Sequence, residues 1–87
     1  MPSFKVKYKR KVDRTIYRSI YAARKKAYSV CLKGGWGTEC IVYRMVDDKS
    51  KCDIGRATAK GGNEVSWTFY GQEKYKLRED GTIIRKV

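Results

Sequence analysis

Histidine is absent from this 87-residue chain, proline occurs once, and only 9 Asp and Glu stand against 21 Lys and Arg. Without histidine the chain lacks the commonest acid–base catalyst and metal ligand. The shortage of acids leaves a formal net charge of +12 and points to an anionic partner. Long apolar runs are missing too: the longest are a few residues, such as Cys40-Ile41-Val42-Tyr43, which is too short for a membrane span. No apolar stretch follows the basic N-terminus as a secretory signal requires, so a cytoplasmic protein is expected. The cysteines, Cys31, Cys40 and Cys52, are three in number and form no C-x-x-C pair. With no histidine to join them, structural zinc is not expected; Cys31 and Cys40 read as small buried apolar residues of a reduced compartment. Neither a metal nor a cofactor is expected.

What is present is a foldable composition. Hydrophobic residues make up 41% of the chain and aromatic residues 13%, too many for a disordered basic tail. The length fits one domain, residues 1–87, with a modest core, about 60–65% of the unfolded surface being buried at this size. The charge is unevenly placed. Residues 1–33 hold 11 Lys and Arg and one acid, Asp13, a net +10, whereas residues 34–87 hold 10 Lys and Arg against 8 acids, a net +2.

The opening segment alternates. Phe4, Val6, Tyr8 and Val12 share one parity and Lys5, Lys7, Lys9 and Lys11 the other, broken only by Arg10, which predicts one strand with a packed face and a cationic ladder of about 6.6–6.8 Å repeat. A helix follows and stops at Gly34-Gly35. Either Asp13 caps a long helix, with Arg14 and Tyr17 on its exposed band, or Ser19 caps a helix starting at Ile20. The second start is preferred because Ala22, Ala23, Arg24, Lys25, Lys26 and Ala27 are strong helix formers. Ile20, Ala23, Ala27, Val30 and Cys31 then share one face, which packs on a sheet.

The remainder reads as strands. Glu39–Val46 precedes a turn at Asp47-Asp48-Lys49-Ser50; Lys51–Lys60 contains Gly55 and reads as a bulged or edge strand open to a second copy of the chain. Glu64–Tyr70 alternates, with Val65, Trp67 and Phe69 inward, and Gly71 ends it. Lys74–Arg78 and Ile83–Val87 flank Asp80-Gly81, a hairpin signal. The expected fold is α+β: one helix packed on an antiparallel sheet of about four to six strands, in the order β-α-β-β-β-β, with a homodimer allowed by the edge.

Catalytic constellations are scarce. The glycines of Lys33-Gly34-Gly35-Trp36-Gly37-Thr38 follow a helix C-terminus, whereas a phosphate loop places them before an N-terminus. Asp47-Asp48 and Glu79-Asp80 fall in turns, and serine or cysteine nucleophiles lack a base. The chain reads as a non-enzyme. The basic and aromatic residues carry the functional signal: Tyr21, Arg24 and Tyr28 flank the apolar stripe, and Arg18 and Lys25 lie further round the wheel. With Lys5, Lys7, Lys9 and Lys11 they suit a nucleic-acid backbone, cations meeting phosphates and tyrosines stacking on bases. Neither the aromatic strand pattern of an RRM nor a pair of helices for helix-turn-helix binding is present. Trp36, between loop glycines, either contacts the partner or folds over the core.

A short basic strand, the helix opening Ser19-Ile20-Tyr21-Ala22-Ala23-Arg24 and continuing to Lys26-Ala27, and a strand meander closed by Arg78-Glu79-Asp80-Gly81-Thr82 resemble small phage-encoded accessory proteins, among them the compact α+β anti-CRISPR proteins. That resemblance implies a non-catalytic viral or mobile-element protein that blocks or diverts a nucleoprotein effector complex. Many such proteins are acidic mimics of nucleic acid; a basic chain instead implies binding to the guide or target nucleic acid, or to an acidic protein face. A stand-alone nucleic-acid-binding protein and an inhibitor docking on an acidic host protein are the alternatives. Reversing the charges of Lys7, Lys9 and Lys25 together is expected to weaken binding without unfolding the chain, in an assay whose affinity falls with added salt.

Overall fold

Residues 3–46, 51–70, 75–78 and 82–86 are described by a computed structural model of the chain. Among the described residues seven strands and one helix follow in the order β1 (Ser3–Tyr8), β2 (Lys11–Val12), α1 (Ile20–Gly34), β3 (Glu39–Met45), β4 (Lys51–Ala59), β5 (Val65–Phe69), β6 (Tyr75–Leu77) and β7 (Ile83–Lys86). The first five strands form one antiparallel sheet in the order β2-β1-β3-β4-β5, and β6 pairs antiparallel with β7 in a second sheet. The expected α+β architecture, one helix against an antiparallel sheet, is what forms. The turn Asp47–Ser50, Gly71 and the hairpin tip Glu79-Asp80-Gly81 lie outside the described residues.

The helix starts where Ser19 caps it. Ser19 is extended at φ −139° and its hydroxyl oxygen accepts from the Ala22 amide at 3.2 Å. Asp13 is used elsewhere: its carboxylate accepts from the Thr15 amide at 3.1 Å and the Tyr17 hydroxyl at 3.0 Å. Tyr17 also exchanges two backbone hydrogen bonds with Phe4, so Arg14 and Tyr17 run beside β1 and do not join the helix. At the other end Gly35 takes φ +78° and ψ −174°, a backbone essentially confined to glycine, and its amide donates to the Cys31 carbonyl at 3.1 Å, closing the last turn.

Ile20, Ala23, Ala27 and Cys31 are buried against Phe4 and Val6 of β1, Cys40 and Val42 of β3, and Cys52, Ile54, Ala57 and Ala59 of β4. Val30 sits half-buried at the margin. Burying each of Phe4, Val6, Ile20, Val42 and Ile54 contributes about 1.5–3 kcal/mol, which makes this seam the main source of stability.

Two expectations are corrected. The opening segment is a hairpin and not one strand. Lys9 and Arg10 both take positive φ, +50° and +63°, the backbone of a type I′ turn without its usual glycine or asparagine. The register pairs Lys7 with Val12 and Tyr8 with Lys11. The ladder therefore breaks: Lys5 and Lys7 point away from the helix, Lys9 lies in the turn, and Lys11 returns on the side of Tyr8.

The second correction concerns β4, read from the sequence as a bulged or an edge strand: the bulge forms and the edge does not. β4 is the longest strand and is paired on both sides, by β3 and β5. The register slips between Val42 and Tyr43, leaving Ile54 as the extra residue of a bulge. A side chain on the neighbouring Gly55 would place its Cβ 2.5 Å from the six-membered ring of Trp67 and 2.6 Å from the Thr68 carbonyl oxygen. Gly55→Ala should therefore lower stability by about 1–3 kcal/mol, the cost of overpacking. Gly61→Ala, with nothing within 4 Å of the added carbon, should stay within about 0.5 kcal/mol of the parent; urea denaturation of both reads the difference.

Candidate nucleic-acid interface

Once its apolar stripe is committed to the sheet, α1 has a second stripe to present. Tyr21, Lys25, Tyr28 and Leu32 recur at i, i+4, i+7 and i+11 and so lie above one another on the solvent side. With Arg24, Ser29 and Lys33 they line an open groove of about 760 Å³. Tyr21 is 68% exposed and Leu32 49%, large apolar surface left in water among cations. From Ile20 to Gly34 the helix carries Arg24, Lys25, Lys26 and Lys33 and no acid. Arg18 precedes the cap at the positive pole of the helix, where a cation costs about 0.3–1 kcal/mol.

One wall of the groove is anchored through the core. Because Gly55 has no side chain, the Trp67 ring lies over it, and the Arg24 guanidinium carbon sits 4.5 Å from that ring's centroid. The same guanidinium is 5.6 Å from the Tyr28 ring centroid and donates to the Tyr28 hydroxyl at 2.9 Å. Both separations are within cation–π range. Gly55, Trp67, Arg24 and Tyr28 thus form a continuous stack from β4 to the surface, holding Arg24 and Tyr28 in fixed positions at the groove.

The ten residues singled out in the sequence fall into separate places. Tyr21, Arg24, Lys25 and Tyr28 come together in the groove, and Arg18 is exposed just before it. Trp36 is exposed in the loop after the helix. Lys5 and Lys7 lie on the opposite face of the sheet, beside Tyr43 and Ile41, and Lys9 and Lys11 belong to the β1–β2 hairpin. The sheet thickness separates Lys5 and Lys7 from the helix, so these two strand cations do not share a surface with those of α1, whereas Lys11 lies on the helix side. Ser29, Leu32 and Lys33 complete the groove and were not anticipated. The signal for them was the second helical stripe starting at Tyr21.

The opposite sheet face is less suited to an anion. Asp53 sits across from Tyr43 there, and Glu39 pairs with Arg56 at 3.6 Å. Tyr43 is buried, with the Lys51 ammonium 4.8 Å from its ring centroid, so its faces are not offered for stacking. Its hydroxyl is pushed up in pKa by that burial and by Asp53. Among the described residues no cluster of three or more Cys, Asp or Glu could hold a metal, and no helix is long and apolar enough to cross a membrane. No protein family, curated protein or solved structure matches the chain.

The cysteines are core residues. Burial raises the Cys31 thiol, whose sulfur approaches the Thr38 and Ala57 carbonyl oxygens at 3.5 Å, and pushes Cys40 up to about 12, with Cys31 adding to the shift. In the unfolded chain these thiols ionise near 8.5–9. Above that pH the unfolded state loses protons that the folded state keeps, so folding stability is full below about 9 and falls as pH rises toward 12. Chemical denaturation across that window should show the fall. Cys40→Ala, although less stable throughout, should show a shallower one.

Proposed function

We propose that this chain is a non-enzymatic binding protein that engages nucleic acid, free or held in a nucleoprotein effector complex, through the solvent face of α1. The observation that carries this reading is a helix with four cations, a fifth just before its cap, no acid, and exposed tyrosine and leucine in the same groove. Helix propensity and the dipole at the C-terminal end account for part of that composition, Lys33 in the last turn included, but not for cations without an acid or for Arg18. No acid at i+4 pairs with the cations, and Arg18 opposes the helix dipole. Phosphates would relieve both, and release of their counterions supplies the driving force. The resemblance in element order to small anti-CRISPR proteins supports the reading of a viral or mobile-element setting, where covering a guide or target strand would block or divert the effector.

The face is testable by where charge matters. Lys25→Glu with Lys33→Glu should weaken binding to nucleic acid roughly tenfold or more at about 0.1 M salt. With Arg18, Arg24, Lys25 and Lys33 on phosphates, log K should fall against log salt with a slope of about −3, reduced by about 1 for each cation removed. Lys5→Glu with Lys7→Glu, on the opposite face, should leave the affinity within about twofold. A salt-independent affinity, or equal losses from the two double variants, would refute the assignment.

A further inference from the structure

The groove on α1 does not end with the helix. Leu32 lines it and also lines a second, smaller cleft of about 230 Å³ between the end of α1 and the β4–β5 turn. Trp36 stands on one side of that cleft, and Lys60, Gly61, Gly62, Asn63 and the acidic Glu64 form the other. We propose that this cleft is a stacking site for one unpaired nucleobase, so that the nucleic acid recognised is single-stranded. The inference rests on the reading of α1 as the nucleic-acid face and deepens it by naming the kind of strand.

The position of Trp36 is the first reason. It is 82% exposed, so nearly the whole indole is in water although burial of an aromatic side chain is worth kilocalories. The loop that presents it is tied down. Gly37 donates to the Ala59 carbonyl at 3.1 Å, Ala59 donates to Thr38 at 2.8 Å, and Thr38 donates to Gly35 at 3.1 Å. Gly35 and Gly37 take φ of +78° and +84°, so both residues flanking Trp36 use backbone that other residues adopt only with strain. The fold therefore spends two glycines and three hydrogen bonds on holding a tryptophan outward.

The chemistry of the cleft is the second reason. Its volume is below the roughly 300–1,000 Å³ usual for drug-sized ligands, and it is open on one side, which suits a single flat ring resting on the indole. Leu32, half exposed, gives it apolar surface, with the buried Cys31 and Ala59 behind it. The Asn63 carboxamide and the peptide groups of Gly61 and Gly62 supply donors and acceptors of the sort that read a base edge, and Lys60 supplies a cation for the adjoining phosphate. The β4–β5 turn is also ordered by its own bond, Lys60 amide to Glu64 carbonyl at 2.7 Å.

Continuity is the third. Tyr21 and Leu32 are eleven residues apart, about 16–17 Å along the helix axis. A strand lying in the groove, its phosphates near Arg24, Lys25 and Lys33, would reach the Trp36 cleft over a few nucleotides. A base inside a duplex has both faces covered by its neighbours and cannot stack there; an unpaired base can.

The test uses the full chain with labelled oligonucleotides of about 12 nucleotides, single-stranded DNA, single-stranded RNA and a blunt duplex, read by fluorescence anisotropy beside intrinsic tryptophan emission. Single strands should bind at least roughly tenfold tighter than the duplex and should quench the emission. Trp36→Ala should weaken single-strand binding roughly 5- to 150-fold and leave duplex binding and the melting temperature unchanged, with Trp36→Phe restoring most of the loss. Equal affinity for duplex and single strands overturns the stacking site, as does a Trp36→Ala chain that binds single strands normally. If Lys25→Glu with Lys33→Glu still weakens binding in those cases, the reading of α1 survives without the cleft. A chain that binds none of the three oligonucleotides, or binds only an acidic protein through Trp36, overturns both.

Discussion

The contact between the Ile20, Ala23, Ala27 and Cys31 stripe of α1 and the inner surface of β1, β3 and β4 decides the direction of every other helical side chain. A helix has one circumference. With that arc spent on the core, Tyr21, Lys25, Tyr28 and Leu32 fall on the solvent side, and Arg24 falls on the flank toward β5, above Trp67. Small residues on both sides of the seam, Ala23 and Ala27 on the helix and Ala57 and Ala59 on β4, belong to the same tight core. The bulge at Ile54 and the bare backbone of Gly55 then admit the Trp67 ring, which carries Arg24. Core geometry and surface chemistry are thus joined by direct contact.

The same seam sorts the charge. A +10 segment could have formed a single basic face, yet alternation along β1 sends Lys5 and Lys7 to the far side of the sheet. There they meet a face that also holds Asp53 and the Glu39–Arg56 pair. The helix face has no such compensation. An anionic partner therefore gains more from α1 than from the strand lysines, even though the two carry similar numbers of cations. The further step from helix groove to Trp36 cleft follows from Leu32, which belongs to both.

Much of the frame was legible in the residues. Ser19 before a run of helix formers marked the start of α1, Gly34-Gly35 marked its end, and the core stripe followed from spacing, because caps and periodicity are local properties. The β1–β2 hairpin left one trace, Arg10 interrupting the apolar parity, but Lys9-Arg10 carries none of the residues that normally take positive φ, so the interruption does not read as a turn. Nor was the centrality of β4: Gly55 suggests an edge when read alone and makes sense only beside Trp67, which is twelve residues away. The groove was half visible. Tyr21, Arg24, Lys25 and Tyr28 were picked by charge and aromaticity, whereas Leu32 escaped notice because an isolated leucine on a helix is read as core. The stacking of Arg24 on Trp67 depends on tertiary packing and leaves no trace in local sequence.

The central claim is that the solvent face of α1, and not the lysine-bearing face of the sheet, meets nucleic acid. Amide chemical-shift mapping of the isotope-labelled chain during titration with a single-stranded oligonucleotide tests it most directly. The account predicts that perturbations concentrate between Tyr21 and Lys33 and in the loop around Trp36, with Lys5, Lys7, Tyr43 and Lys51 unmoved. Perturbations concentrated on those sheet residues, with α1 silent, would contradict it.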